Sequence, residues 1–179
     1  DGKWGYIDEE GDMVIKPQFD YAGQFSEGVA VVAYKHTDDY GSEYFTLSIV
    51  DENGKVTDLE YTDNFDMVGE MIPVQYWYDE SLLIEEASSW YCQNGVVNVA
   101  NHPFTADGEY IMPKGDMAKY DVFEMIGPCI GGVIAMRAYY VGSVNMQSFY
   151  MDKDGNVTRV FDATPDSNGY SIVSVYAPE

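Results

Sequence analysis

The stretch Tyr6-Ile7-Asp8-Glu9-Glu10-Gly11-Asp12-Met13-Val14 decides the fold, because it sets an Asp-x-x-Gly between two apolar pairs. An Asp at the head of such a segment hydrogen-bonds backbone N–H groups just ahead of it, and a Gly three residues on supplies positive φ. Two apolar runs joined by that reversal read as a β-hairpin. The stretch recurs: Ile49-Val50-Asp51-Glu52-Asn53-Gly54-Lys55-Val56 and Tyr150-Met151-Asp152-Lys153-Asp154-Gly155-Asn156-Val157 follow it closely. Phe104-Thr105-Ala106-Asp107-Gly108-Glu109-Tyr110-Ile111 follows it more distantly. The turn glycines 11, 54, 108 and 155 are 43, 54 and 47 residues apart, which suits about four units with loop insertions.

A second block follows each turn. Phe19-Asp20 leads to Phe25-Ser26-Glu27-Gly28-Val29-Ala30-Val31, and Phe65-Asp66 leads to Gly69, Ile72 and Val74. Tyr120-Asp121 leads to Ile126, Gly131-Gly132 and Val133-Ile134, and Phe161-Asp162 leads to Gly169 and Ile172-Val173. Phe45, Leu47 and Ile49 alternate with Tyr44, Thr46 and Ser48, the period of a strand with one face buried. Val29 to Lys35 meets Glu43 to Asp51 across the loop 36–42, and Val133 to Tyr140 meets Phe149 to Asp152 across 141–145.

The expected fold class is therefore all-β: an antiparallel β-meander repeat array of about three strands per unit, forming an open arc, a solenoid or a propeller-like sheet. The units run 2–42, 43–78, 96–142 and 143–179, with a helical insert over 79–95. Within the insert, acids follow cap-type residues and Gln93-Asn94-Gly95 forms an exit, so residues 79–92 read as one short helix. Leu83, Ala87, Trp90 and Tyr91 fall near one face of that helix, which suits packing over a sheet edge.

Lys3-Trp4-Gly5-Tyr6-Ile7-Asp8, with Gly11, Val14-Ile15, Pro17-Gln18-Phe19-Asp20, Ala22 and Phe25 to Val31, resembles one nearly complete unit of the bacterial WG-repeat (KWG-repeat) family. The match is specific over residues 2–32. The later units follow it by turn and strand pattern, with Leu47-Ser48 and Ser148-Phe149 standing where the Trp-Gly pair would be. The resemblance implies an all-β repeat protein, often exported or surface-associated, with no general catalytic activity and no active-site residues to carry over. An extracellular or cell-surface location is the expectation.

Composition narrows the function. Of 179 residues, 31 are Asp or Glu and only 9 are Lys or Arg, and a net charge of −22 repels nucleic acid and anionic membranes alike. The uncharged run Met125 to Met136 spans 12 residues, includes Gly127, Pro128, Gly131 and Gly132, and is too short to cross a bilayer. The opening Asp1-Gly2-Lys3-Trp4 has no basic or apolar leader character, so any export signal was removed or lies outside this stretch.

Chemical motifs are sparse. Cys92 and Cys129 allow one pairing but fit no metal spacing, and free buried thiols are the preferred reading. Asp51-Glu52-Asn53-Gly54 and Asp152-Lys153-Asp154-Gly155 lack the sixth-position Gly and twelfth-position Glu of a calcium loop, so turn chemistry explains them. His36 and His102 lie far apart without metal-ligand spacing. No phosphate-binding glycine loop or nucleophile elbow is present, and so many acids make carboxylate pairs uninformative. No cofactor, metal or catalytic residue is expected.

The aromatic clusters Tyr76-Trp77-Tyr78, Trp90-Tyr91 and Tyr139-Tyr140 carry the functional expectation. Adjacent residues of a strand point to opposite faces, so each cluster exposes at least one ring. Trp77, Tyr78, Trp90, Tyr139 and Tyr140 are the candidate contacts for a carbohydrate, peptide or protein partner. In the competing reading, Trp77 and Trp90 complete the core and the tyrosines are scattered. The sequence points first to a non-catalytic binding or scaffolding module. An accessory hydrolase domain and a structural spacer are the alternatives, and the oligomeric state is open.

Overall fold

Each of the four recurring turns closes with the same pair of backbone bonds. Asp8 N–H donates to the Asp12 carbonyl at 2.9 Å and Gly11 N–H to the Asp8 carbonyl at 3.1 Å, and the pattern repeats at residues 51–55, 105–109 and 152–156. The first side chain fixes the reversal: Oδ1 of Asp8, Asp51 and Asp152 accepts the N–H four residues on, and Thr105 Oγ1 does so for Glu109. At Gly11 φ is +89° and at Gly155 +80°, a region closed to most side chains. A fifth copy joins Asp38 to Ser42 through Gly41, inside what the sequence offers as a plain loop.

The computed structural model describes residues 2–61, 72–76, 83 and 90–161. Its strands are β1 (Trp4–Ile7), β2 (Met13–Phe19), β3 (Tyr21–Ala22), β4 (Val29–Thr37), β5 (Glu43–Asp51) and β6 (Val56–Asp58). They continue as β7 (Glu60–Tyr61), β8 (Ile72–Pro73), β9 (Gln75–Tyr76), β10 (Cys92–Gln93), β11 (Val96–Val99) and β12 (His102–Thr105). After a 3-10 turn at Gly115–Lys119 come β13 (Val122–Met125), β14 (Val133–Tyr139), β15 (Met146–Asp152) and β16 (Val157–Phe161). Every pairing is antiparallel, and among the described residues no barrel closes. Of the helix expected over 79–92, the described residues are Leu83, which is helical, Trp90 and Tyr91, which are not, and Cys92, which opens a strand; the rest lies outside the described residues.

The strands fall into several sheets rather than one continuous meander. Two of these share one plan: β3-β4-β5-β6, with β9 also on β5, and β13-β14-β15-β16. The second block accounts for the likeness. Asp20 N–H donates to the Ala33 carbonyl while its Oδ2 accepts Lys35 N–H at 2.9 Å. Asp121 N–H donates to the Tyr139 carbonyl while its Oδ2 accepts Val141 N–H at 3.1 Å.

The uninterrupted apolar run of β4 follows from its position between two cores. Ala30 and Val32 join Ile15, Phe19 and Val50 on one side. Val29, Val31 and Ala33 join Phe45, Leu47, Ile49, Trp90, Val97 and Phe104 on the other. A third core gathers Val96, Phe123, Cys129, Ile134, Met136, Phe149 and Met151. In the first core, Tyr6 stands edge-on to Phe25 at 4.7 Å, and its hydroxyl donates to the Gly23 carbonyl at 2.9 Å. Burial, then the neighbouring Tyr21, holds the Tyr6 hydroxyl above its ordinary pKa.

The Gly of the Trp4-Gly5 pair is set by a close crossing of backbones. A methyl group at Gly5 would collide with the Ile15 carbonyl and lie 2.7 Å from Pro17 N, where β1 bulges against β2. No side chain moves out of the way there, so only glycine fits.

Candidate functional site

Among the described residues, four tight turns have positive φ at both central residues. They are Glu27-Gly28 (φ +50° and +84°), Asn94-Gly95 (+53° and +75°), Ala100-Asn101 (+49° and +65°) and Gly131-Gly132 (+59° and +78°). This is the type I′ geometry that matches strand twist. Glu27 carries a side chain where Gly131 has none, and that side chain ties the first unit to the β10–β11 hairpin. Its Oε1 accepts Asn94 N–H at 3.0 Å, and its Oε2 accepts Gly95 N–H at 2.7 Å and the Cys92 thiol at 3.4 Å. Ser26 Oγ adds a 2.7 Å bond to the Cys92 carbonyl. Asn94 Nδ2 passes the tether on by donating to the Cys129 carbonyl at 3.0 Å.

The electrostatics of this tether are those of a structural joint. The Gly95 and Asn94 amides, and then the Cys92 thiol, hold the Glu27 carboxyl below the usual range. Burial, then the bond to Glu27, pushes the Cys92 thiol up to about 12, and burial raises Cys129 as well. The thiolate is the nucleophile, so both thiols are inert at neutral pH. Both cysteines are buried and free.

Beside the tether lies a cleft of about 210 Å³. Its lining includes Tyr91, Gln93, Asn98, Met125, Pro128 and Cys129. Tyr91 is 45% exposed. Asn98 Oδ1 is buried and accepts no hydrogen bond from the described residues, a state that costs about 1–3 kcal/mol until a donor arrives. In a chain of net charge −22, the lining contains no Asp, Glu, Lys or Arg. The site therefore offers an aromatic face, two amides and a thioether to an uncharged group. A second dent of about 30 Å³, beside Asp51, Lys55 and Asp107, has about the volume of one water molecule in the liquid.

The structure places the residues singled out from the sequence differently from one another. Trp77 and Tyr78 lie outside the described residues. Trp90, expected to contact a ligand, is 5% exposed and packs in the second core, because it is the inward member of its pair and Tyr91 is the outward one. Tyr139 is half-buried, and its hydroxyl donates to Glu124 Oε1 at 2.9 Å. Burial, followed by that bond, raises its pKa. Tyr140 is exposed and tilts against Tyr120 at 4.8 Å.

His36 bonds Thr46 Oγ1 and stacks on Tyr44, and His102 stacks on Tyr61. Among the described residues no group of three or more His, Cys, Asp or Glu could hold a metal ion, and no helix is long and apolar enough to cross a membrane. Sequence reasoning missed Gln93, Asn98, Met125 and Pro128 as site residues. Only the exposed half of the Trp90-Tyr91 pair signalled the place.

Compared with known families, residues 4–34 match the one described as WG containing repeat. No curated protein and no solved structure matches the chain.

Proposed function

We propose that this chain, with a WG-type unit over residues 4–34, is a non-catalytic binding and scaffolding repeat module that takes an uncharged polar ligand into the Tyr91–Asn98 cleft. The observation that carries the reading is the buried, unpartnered Asn98 Oδ1 in a cleft without charged walls. A neutral carbohydrate is the first choice of ligand: its hydroxyls are donors for Asn98 and Gln93, and its C–H face suits an exposed tyrosine ring. The volume admits one ring or one side chain rather than a long polymer. An extracellular or cell-surface setting belongs to the proposal and suits the acidic, lysine-poor composition.

Two further facts favour binding over catalysis. Burial holds the thiol of Cys129, which lines the cleft, and that of Cys92 in the tether above their ordinary pKa, away from the nucleophilic thiolate. The carboxylates that depart from their ordinary pKa among the described residues, Asp20, Glu27, Asp51 and Asp152, are all held below it, whereas a general acid needs the opposite shift. Titrating the chain with a panel of neutral oligosaccharides, beside a panel of uncharged peptides, tests the proposal. We expect saccharide binding that weakens about tenfold or more in Tyr91→Ala and in Asn98→Leu. Binding that survives both substitutions, or no binding to either panel, would refute it.

A further inference from the structure

We infer that Asn94-Gly95 is a self-modification site: the Asn94 side chain loses its amide nitrogen to attack by its own backbone, with water as co-reactant, and the Glu27 tether holds that reaction in check. An Asn followed by Gly suits the reaction best, because no Cβ on the second residue obstructs its nitrogen. The Gly95 nitrogen gives up its proton and forms a bond to Asn94 Cγ. The Cγ–Nδ2 bond breaks, and Nδ2 leaves with that proton as ammonia. Water then opens the cyclic imide at either carbonyl and leaves Asp or isoaspartate at position 94. Asn94 is exposed, so water reaches it.

Two sets of bonds oppose the first step. The nitrogen that must attack donates its N–H to Glu27 Oε2 at 2.7 Å, while Oε1 accepts Asn94 N–H at 3.0 Å. The carboxylate thus stands against the atom on which negative charge must develop, and like charges disfavour that anion. Asn94 Nδ2 donates to the Cys129 carbonyl at 3.0 Å, so the group that must turn toward Gly95 is held on a distant loop instead. Asn53-Gly54 supplies the contrast. It too is an Asn-Gly with an exposed Asn, but Gly54 N–H donates to the neutral Asp51 carbonyl at 2.9 Å. The Asp51 carboxylate takes the N–H groups of Asn53 and Lys55, and the Asn53 side chain bonds Asp51 within its own turn. A third Asn-Gly, at 168–169, lies outside the described residues.

Reaction at Asn94 cuts the tether at its second link. The new carboxylate accepts hydrogen bonds and donates none, and it faces the Cys129 carbonyl, another acceptor. The turn that follows, in which Ile130 and Val133 exchange N–H bonds at 3.0 Å, then loses its tie to the first unit.

Incubating the full chain and Glu27→Gln in mildly alkaline heavy-oxygen water, and reading each Asn by tandem mass spectrometry, tests this, circular dichroism confirming that both fold. Gln at position 27 carries no charge and one acceptor oxygen in place of two. Expected is conversion of Asn94 at least about tenfold faster in Glu27→Gln, with Asn53, the internal clock, keeping its rate. Any smaller acceleration at Asn94 would overturn the inference. So would Asn94 and Asn53 speeding up together, the mark of a fold loosened as a whole. Asn94→Asp reproduces one product directly: hydrogen exchange at Ile130 and Val133 should quicken, and unchanged exchange there would refute the cut at Cys129.

Discussion

The meander β3–β6 and the meander β13–β16 share strand order, an Asp that anchors the entering strand, a type I′ turn and a closing turn on an Asp. They differ in one side chain at the type I′ turn. Glu27 reaches out and binds the amides of Asn94 and Gly95, whereas Gly131 ends at its backbone. The backbone plan is thus repeatable with different residues, but joining one sheet to another takes a group that extends beyond the plan. The cleft lies against the hairpin that Glu27 holds, and so the WG-type unit shapes a site to which it contributes no lining residue.

The largest expected contrast between the two meanders lies in the residue before the anchoring Asp. Phe19 is fully buried, and Phe19→Ala should cost about 3–5 kcal/mol in chemical denaturation. Tyr120 is only half-buried against Tyr140, and Tyr120→Ala should cost about 1–1.5 kcal/mol. Equal costs would show that the two positions are not counterparts differing in burial.

The anchors themselves come next. Asp20→Ala and Asp121→Ala each leave one backbone N–H without its acceptor, at Lys35 and Val141, for a loss of about 1–3 kcal/mol by the same measurement. Asp20 should fall toward the upper end. Burial alone would raise its pKa, but the bonds from Lys3 and Lys35 outweigh that and hold it low. The 2.6 Å ion pair with Lys3 is half-exposed, so Lys3→Ala should cost less than about 1 kcal/mol, and less still in high salt.

The tether gives a pH signature that the second meander lacks. The Glu27 carboxyl titrates lower in the folded chain than its ordinary value of 4.5, so the unfolded chain takes up the proton first. Its contribution to stability is complete above that value and is lost as pH falls through the lower folded value. Thermal unfolding between pH 6 and pH 3 should therefore fall less steeply in Glu27→Gln than in the unsubstituted chain. Asp51 and Asp152 shift in the same direction in both proteins and cancel in the comparison.

How much of this could be read from the sequence depended on distance along the chain. The turns at Gly11, Gly54, Gly108 and Gly155 are local, since a side chain and a glycine a few residues apart carry all their chemistry, and they stood out as repeats. The Tyr120-Asp121 counterpart of Phe19-Asp20 was equally legible, because it depends on one aromatic-acid pair. The turn at Asp38 was not, since it lacks the apolar flanks of the others and lies in a polar stretch. The division into separate sheets was also hidden, because it depends on where pairing stops rather than on which residues favour strands. The cleft depends on residue 27 meeting residues 94 and 95, a separation that no local pattern encodes. Trp90 and Tyr91 show the same limit: alternation predicts that one ring faces out, but only the packing of the second core decides which.

Hydrogen exchange at the Asn94 and Gly95 amides, followed by NMR in the unsubstituted chain and in Glu27→Gly, tests the tether most directly. The variant gives the first turn the Gly-Gly sequence found at residues 131–132, where φ is already positive at both positions. The expected result is lost protection at those two amides, with β13–β16 unchanged. Unaltered protection at Asn94 and Gly95 would contradict the view that the first unit holds the cleft in place.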